Sequence, residues 1–251
     1  MSGPAPLAIR SAVERGWLAF SHCPWVLMGF TLVSGASNLL AQVWFRRESG
    51  RVISELGQPD GLAISLAAGA WILYVATGLW MVVGLMRGSL LALDQGRPRF
   101  GDLIRLDARA MVRCFGTLAL ALVVLALIVR LAQASSWLLT LLQPLLAPLP
   151  LLAGVAAAIY LSADQILCLP LSLIGGLNPV AAFQGSRAAT DPHWLHALGL
   201  TLVLLAMVLA GFLVLVVGLV VALPVATCTL TAAYQQLFGA GQGTGWRDNS
   251  G

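Results

Sequence analysis

Apolar positions run along this chain in long blocks with a helical period, separated by short polar stretches. From Ile9 to Phe20, one helical face collects Ile9, Ala12, Val13, Gly16, Trp17 and Phe20, and the other collects Arg10, Ser11, Glu14 and Arg15. This separation predicts an interfacial helix over 9–20, with Trp17 at headgroup depth. A first span follows at about 25–45, long enough to cross a bilayer, and stops at Arg46 and Arg47. The next apolar block begins at Gly61. A second span over 61–86 continues in helical pattern to Leu93, and Gly96 and Pro98 supply the stop signals.

Residues 97–113, with the helix expected over 99–112, again divide into two stripes. Arg99, Asp102, Arg105, Arg109 and Arg113 lie opposite Phe100, Leu103, Ile104, Ala108 and Met111, which predicts a second interfacial helix. Asp107 interrupts its apolar stripe. A third span is expected at 114–132. The stretch 135–150 is apolar but holds Pro144, Pro148 and Pro150, and reads as a connection dipping into the interface. A fourth span over 151–174 ends at Gly175 and Gly176. A third interfacial helix over 179–190 starts at Pro179, a residue suited to the first helical position. The 45 residues from Trp194 to Phe238 hold no Asp, Glu, Arg or Lys. They are too long for one crossing, so a turn near Gly218 divides them into spans 195–216 and 219–238. The tail 239–251 is Gly-rich and polar and is expected to be flexible. The pattern predicts an all-α polytopic membrane helix bundle: six transmembrane helices and three short cytoplasmic interfacial helices in a single membrane domain, 1–251. A unit of interfacial helix and membrane hairpin recurs over 9–60, 98–174 and 179–238.

Composition strengthens this picture. The chain of 251 residues is 59% hydrophobic and only 10% charged, against about 25% charged residues in soluble domains. A soluble core of this size has no room for so much apolar surface, and a disordered chain or disulfide-rich scaffold is excluded on the same grounds. The four cysteines, Cys23, Cys114, Cys168 and Cys228, form no C-x-x-C pair and lie in or beside apolar segments. All fourteen basic residues are Arg. Six spans put both termini on one side, where ten of those Arg fall, with four on the other. The positive-inside rule then places the termini in the cytoplasm of a bacterial inner membrane. The Arg residues are tied to span ends, a distribution that does not suit nucleic-acid binding.

Candidate chemistry is sparse. Asp164 is the one acid well inside an expected span, with Tyr160 and Gln165 beside it. A buried charge in lipid is costly, so it must face protein or water. It is either a proton or cation site or a structural polar contact near the end of its helix. Asp107 and Arg187 are each a misplaced charge on an interfacial helix, which suggests a salt bridge clamping the two helices together. Arg99, Arg105, Arg109 and Arg113 are candidates for anionic lipid headgroups. His22, Cys23, His193 and His196 offer nitrogen and sulfur ligands, and would form a metal site only if the first and fifth spans were neighbours. No zinc-protease, nucleophile-elbow, P-loop or dinucleotide motif occurs, and no cofactor is expected.

One stretch resembles a known pattern. Leu167-Cys168-Leu169-Pro170 leads to Gly175-Gly176-Leu177-Asn178-Pro179, and then to Phe183 and Ser186-Arg187. Gly96, Pro98, Phe100, Asp102 and Leu103 after the second span, and Tyr234 to Phe238 closing the last, also fit. The pattern is similar to that of uncharacterised bacterial six-span membrane proteins related to the membrane domain attached to some glycerophosphodiester phosphodiesterases. The catalytic barrel of those enzymes has no counterpart here, so the resemblance implies the six-helix domain and an accessory role rather than their activity. The expected function is therefore a non-enzymatic membrane scaffold or assembly factor. It would contact anionic lipid and a membrane-protein partner. A small transporter or permease component using Asp164, and a membrane-embedded lipid-modifying enzyme, are the alternatives.

Overall fold

A computed structural model describes residues 8–54, 61–94 and 96–239. The expected tail lies outside the described residues apart from Gly239. Among the described residues every regular element is helical: α1 (Ile9–His22), α2 (Pro24–Ser54), α3 (Gly61–Leu93), α4 (Phe100–Ile104), α5 (Ala108–Leu142), α6 (Pro148–Asp164), α7 (Cys168–Leu173), α8 (Pro179–Thr190), α9 (Trp194–Leu213) and α10 (Leu215–Phe238). Five helical stretches are long and apolar enough to cross a membrane: Pro24–Ile53, Gly61–Leu93, Ala108–Leu141, Pro179–Leu213 and Val217–Phe238. The chain is thus a membrane-embedded helical protein, with α6 as a shorter apolar helix of 17 residues.

Three hairpins organise the bundle, α2 with α3, α5 with α6, and α9 with α10. Helix α1 is more than a surface helix. It lies along α10, where Gly16 lets the backbones approach: a methyl group there would sit 2.5 Å from Thr229 Oγ1 and 2.6 Å from the Thr229 backbone. Gln236 ties the contact by accepting from the Ala8 N–H at 3.3 Å and donating to Ser11 Oγ at 3.1 Å. Arg15 donates to Gln235 Oε1 at 3.0 Å, and Gln235 Nε2 donates to Asp94 Oδ1 at 3.2 Å, so one buried amide joins the middle of α1 to the C-terminal ends of α3 and α10.

The buried side chains concentrate at one end of the long helices. One cluster surrounds α7 and includes Met86, Cys114, Leu167, Leu173, Ile174 and Tyr234. A second joins Leu27, Phe30, Leu85, Leu103, Val225 and Cys228. Polar ties run through the same region. Ser89 Oγ and Thr231 Oγ1 are 2.7 Å apart, Thr117 donates to Ser172 Oγ at 2.9 Å, and Trp80 Nε1 donates to the Ile104 carbonyl at 3.1 Å.

Four expectations need correction. The 99–112 helix is not continuous: α4 ends at Ile104 and Ala108 opens α5, because Asp107 is the N-cap of α5 and its Oδ1 accepts from the Ala110 N–H at 3.1 Å. An aspartate that bonds the first free N–H groups of one helix ends the previous one. The 135–150 connection is much shorter than expected. Helix α5 runs on to Leu142, and a turn over 143–147 closes the hairpin, with Ser136 donating to the Ala147 carbonyl at 2.7 Å. The fourth span is broken at 165–167. Pro170 occupies the first turn of α7, where its missing N–H leaves no bond unmade, so the helix restarts two residues ahead of the proline. Finally, the turn in the last block falls at Val214, between Gly211 and Gly218, whose backbones pack against each other.

Candidate functional site

Two polar sites flank the packed end. The first is built by the corner between α4 and α5. Because Asp107 must cap α5, residues 105–107 run outside any helix and bring Arg105 and Arg109 beside Arg87 on α3. Together with Leu106, Asp107 and Ala108 they line a shallow concavity of about 340 Å³. Arg105 and Arg109 are exposed and Arg87 is half-buried. The concavity thus presents guanidinium groups on an open wall, a geometry suited to the oxygens of a phosphate or carboxylate.

The other two Arg candidates lie elsewhere. Arg113 turns inward, donating from Nη1 to the Gly176 carbonyl at 2.9 Å, and its Nε is buried without a hydrogen-bond partner. It ties α5 to the α7–α8 loop rather than reaching for headgroups. Arg99 is exposed at the start of α4, where its backbone N–H donates to Asp102 Oδ2 at 3.0 Å.

The second site is the break after α6. Asn178 caps α8 by accepting from the Ala181 N–H at 2.8 Å, and Pro179 follows at the first helical position. That start sets the phase of α8 and brings Ser186 and Thr190, one turn apart, against the last residue of α6. Ser186 donates to the Asp164 carbonyl at 2.6 Å, which the break has freed from the helical ladder. Thr190 Oγ1 lies 2.8 Å from Asp164 Oδ1 and 3.1 Å from the Asp164 carbonyl oxygen. Gln165 Nε2 donates to Asp164 Oδ2 at 3.0 Å, whereas its own Oε1 is buried with no partner. Asp164 is only 5% exposed, and among the described residues no basic side chain forms an ion pair with it. Tyr160 is not among its hydrogen-bond partners: its hydroxyl donates to Asp191 Oδ1 at 2.8 Å.

The expected Asp107–Arg187 clamp does not form. Asp107 is engaged as a helix cap, and Arg187 Nε faces Asp191 Oδ2 at 3.7 Å, one turn along the chain. The histidine and cysteine cluster does not assemble either. The His193 and His196 rings meet edge to face with centroids 6.0 Å apart, but among the described residues no three His, Cys, Asp or Glu side chains come together. The partners missed by sequence reasoning are Arg87, Ser186, Thr190 and Asp191. Ser186 and Thr190 did carry a signal, since two hydroxyls four residues apart share one face of a short helix.

A comparison with family models, curated proteins and solved structures finds no match.

Proposed function

We propose that this chain is a non-enzymatic scaffold or accessory protein of a bacterial cytoplasmic membrane that holds anionic lipid headgroups in the Arg87–Arg105–Arg109 concavity. The observation that carries the reading is the convergence of three Arg from two helices and the corner between them around about 340 Å³ of open space. Both termini lie on the cytoplasmic side, a reading supported by the ten-to-four Arg bias. In that orientation the concavity sits at the inner leaflet, where anionic lipid attracts basic side chains at about 1 kcal/mol each. Helices α6 and α7 together make the sixth crossing. The likeness of the Pro170-to-Arg187 stretch to the membrane domain of glycerophosphodiester phosphodiesterases supports an accessory role beside a membrane-protein partner. The local engagement of Asp164 by Ser186, Thr190 and Gln165 at the end of α6 supports this role over transport.

The test is retention of lipid by the purified protein. Native mass spectrometry in mild detergent, after addition of equal phosphatidylglycerol and phosphatidylcholine, is expected to find phosphatidylglycerol bound preferentially. Arg105→Gln with Arg109→Gln is expected to weaken that preference about tenfold or more, in line with about 1 kcal/mol per Arg near an anionic surface. Equal retention of the two lipids by the unaltered chain would overturn the reading.

A further inference from the structure

The Asp164 knot has a property that hydrogen bonding leaves unresolved. Thr190 has a single hydroxyl proton, and four oxygens lie within reach of Oγ1: Asp164 Oδ1 at 2.8 Å, the Ser186 carbonyl at 2.9 Å, the Asp164 carbonyl at 3.1 Å and the Arg187 carbonyl at 3.4 Å. Sent to the Ser186 carbonyl, the ordinary bond of a helical threonine, that proton leaves Thr190 Oγ1 and Asp164 Oδ1 facing each other at 2.8 Å with no proton between them, and beside them at 3.1 Å the Asp164 carbonyl, which accepts from Ser186 and keeps a second lone pair. Gln165 adds a buried Oε1 without a donor, on the amide that lies against Asp164 Oδ2. The backbone adds to the negative potential. Helix α6 ends at Asp164 and α8 ends at Thr190, so two helix C-termini converge on the carboxylate. The nearest basic residue on α8, Arg187, faces Asp191 instead. Beside Thr190 an apolar-walled space of about 10 Å³, lined also by Ile166, Leu167 and His193, has room for about one water molecule.

We propose that the break between α6 and α7 binds one small monovalent cation of the sodium class. Its ligands are Asp164 Oδ1, the Asp164 carbonyl, Thr190 Oγ1 and Gln165 Oε1, and a water molecule enters from the adjoining space. The donor set is all oxygen, which suits a hard ion and excludes zinc or copper. One carboxylate neutralises one positive charge, whereas a divalent ion would leave a net charge buried beside apolar helices. Freed carbonyls at the end of an interrupted helix are a known way for membrane proteins to coordinate sodium. Bound there, the ion fastens the α6 end to α8 and holds the helix break in one conformation.

The test uses the purified full-length chain in detergent. Its melting temperature is followed as sodium chloride replaces N-methylglucamine chloride at constant ionic strength. A saturable rise of about 3 °C or more is expected in sodium, with potassium needing a clearly higher concentration. Asp164→Asn is expected to abolish the response. Should that variant fail to fold, Thr190→Val and Gln165→Leu carry the test, each expected to shift the half-saturating sodium concentration upward about tenfold. Equal melting temperatures in sodium and N-methylglucamine overturn the proposal. So do an unchanged sodium response in the folded variants, an equal response to potassium, and replacement of sodium by micromolar calcium.

Discussion

Along α3 the two ends meet different surroundings. Val83, Leu85, Met86, Ser89 and Ala92 are buried among α2, α4, α7 and α10, whereas Leu62, Trp71, Ile72 and Leu73 near its start are exposed. Helix α5 shows the same contrast in the opposite chain direction. Ala110, Cys114 and Thr117 are buried, and Leu122, Val123, Leu127, Leu131, Leu138 and Leu141 are not. The bundle therefore has a packed end, where α1, α4, α7 and α8 fill the gaps between the long helices, and a splayed end. The difference shows where specificity resides. An apolar side chain facing lipid gains little from contact with another helix, because lipid tails are equally apolar. Close fit, small residues and polar ties must then do what the hydrophobic effect does in water, and the polar ties Ser89–Thr231, Thr117–Ser172 and Gln235–Asp94, which reach beyond a single hairpin, are found at the packed end.

The largest expected effect tests this contrast with one substitution made twice. Gly16→Leu drives a side chain into the Thr229 backbone, which cannot move aside as a flexible side chain can, whereas Gly69→Leu meets nothing within 4 Å. Gly16→Leu is expected to lose folded monomer in detergent size-exclusion chromatography, through overpacking that exceeds the usual ~1–3 kcal/mol because backbone is displaced. Gly69→Leu should elute like the unaltered chain. A normal profile for Gly16→Leu would mean that α1 does not depend on α10.

A smaller effect is expected from cavities. Leu173 in α7 is fully buried, and Leu173→Ala should destabilise by about 2–5 kcal/mol. Leu127, on the splayed part of α5, is 58% exposed, and Leu127→Ala should stay within about 0.5 kcal/mol. Reversible unfolding in mixed micelles would measure both. Similar losses at the two sites would mean that another chain covers the splayed end.

Much of this architecture was legible from periodicity. The long apolar blocks became α2, α3, α5, α9 and α10, and the amphipathic faces of 9–20 and 179–190 became α1 and α8, the latter starting at Pro179. What hydropathy did not reveal is where a helix stops inside a block that remains apolar. The break at 165–167 and the turn at Val214 depend on tertiary contacts and on Pro170 and Gly211, and such residues change the mean hydropathy little. Asp107 shows the same limit in polar form. On a wheel it looked like a charge in need of a distant partner, but an aspartate serves equally well as a local cap. The polar knot at Asp164 was half legible. The acid and Gln165 stood out within an apolar span, while Ser186 and Thr190 depend on how α8 folds back against the end of α6.

The smallest expected effect concerns the charge pair that replaced the anticipated clamp. Arg187 and Asp191 lie 3.7 Å apart, with side chains 60% and 48% exposed. Water screens such a pair, and exposed i,i+4 pairs contribute about 0.3–0.5 kcal/mol. Arg187→Gln should therefore change stability by less than about 0.5 kcal/mol, and added salt should erase even that difference. Asp191→Asn differs because Asp191 also accepts the Tyr160 hydroxyl at 2.8 Å, a bond joining α6 to the turn before α9. An amide oxygen can still accept from Tyr160, so the bond should survive in weaker form. Asp191→Leu should remove it, at a loss of about 1 kcal/mol that is insensitive to salt. Equal losses for Arg187→Gln and Asp191→Leu would instead mean that the Tyr160 bond adds nothing beyond the ion pair. They would also make this edge of the packed end more electrostatic than the hydroxyl contacts at Asp164 imply.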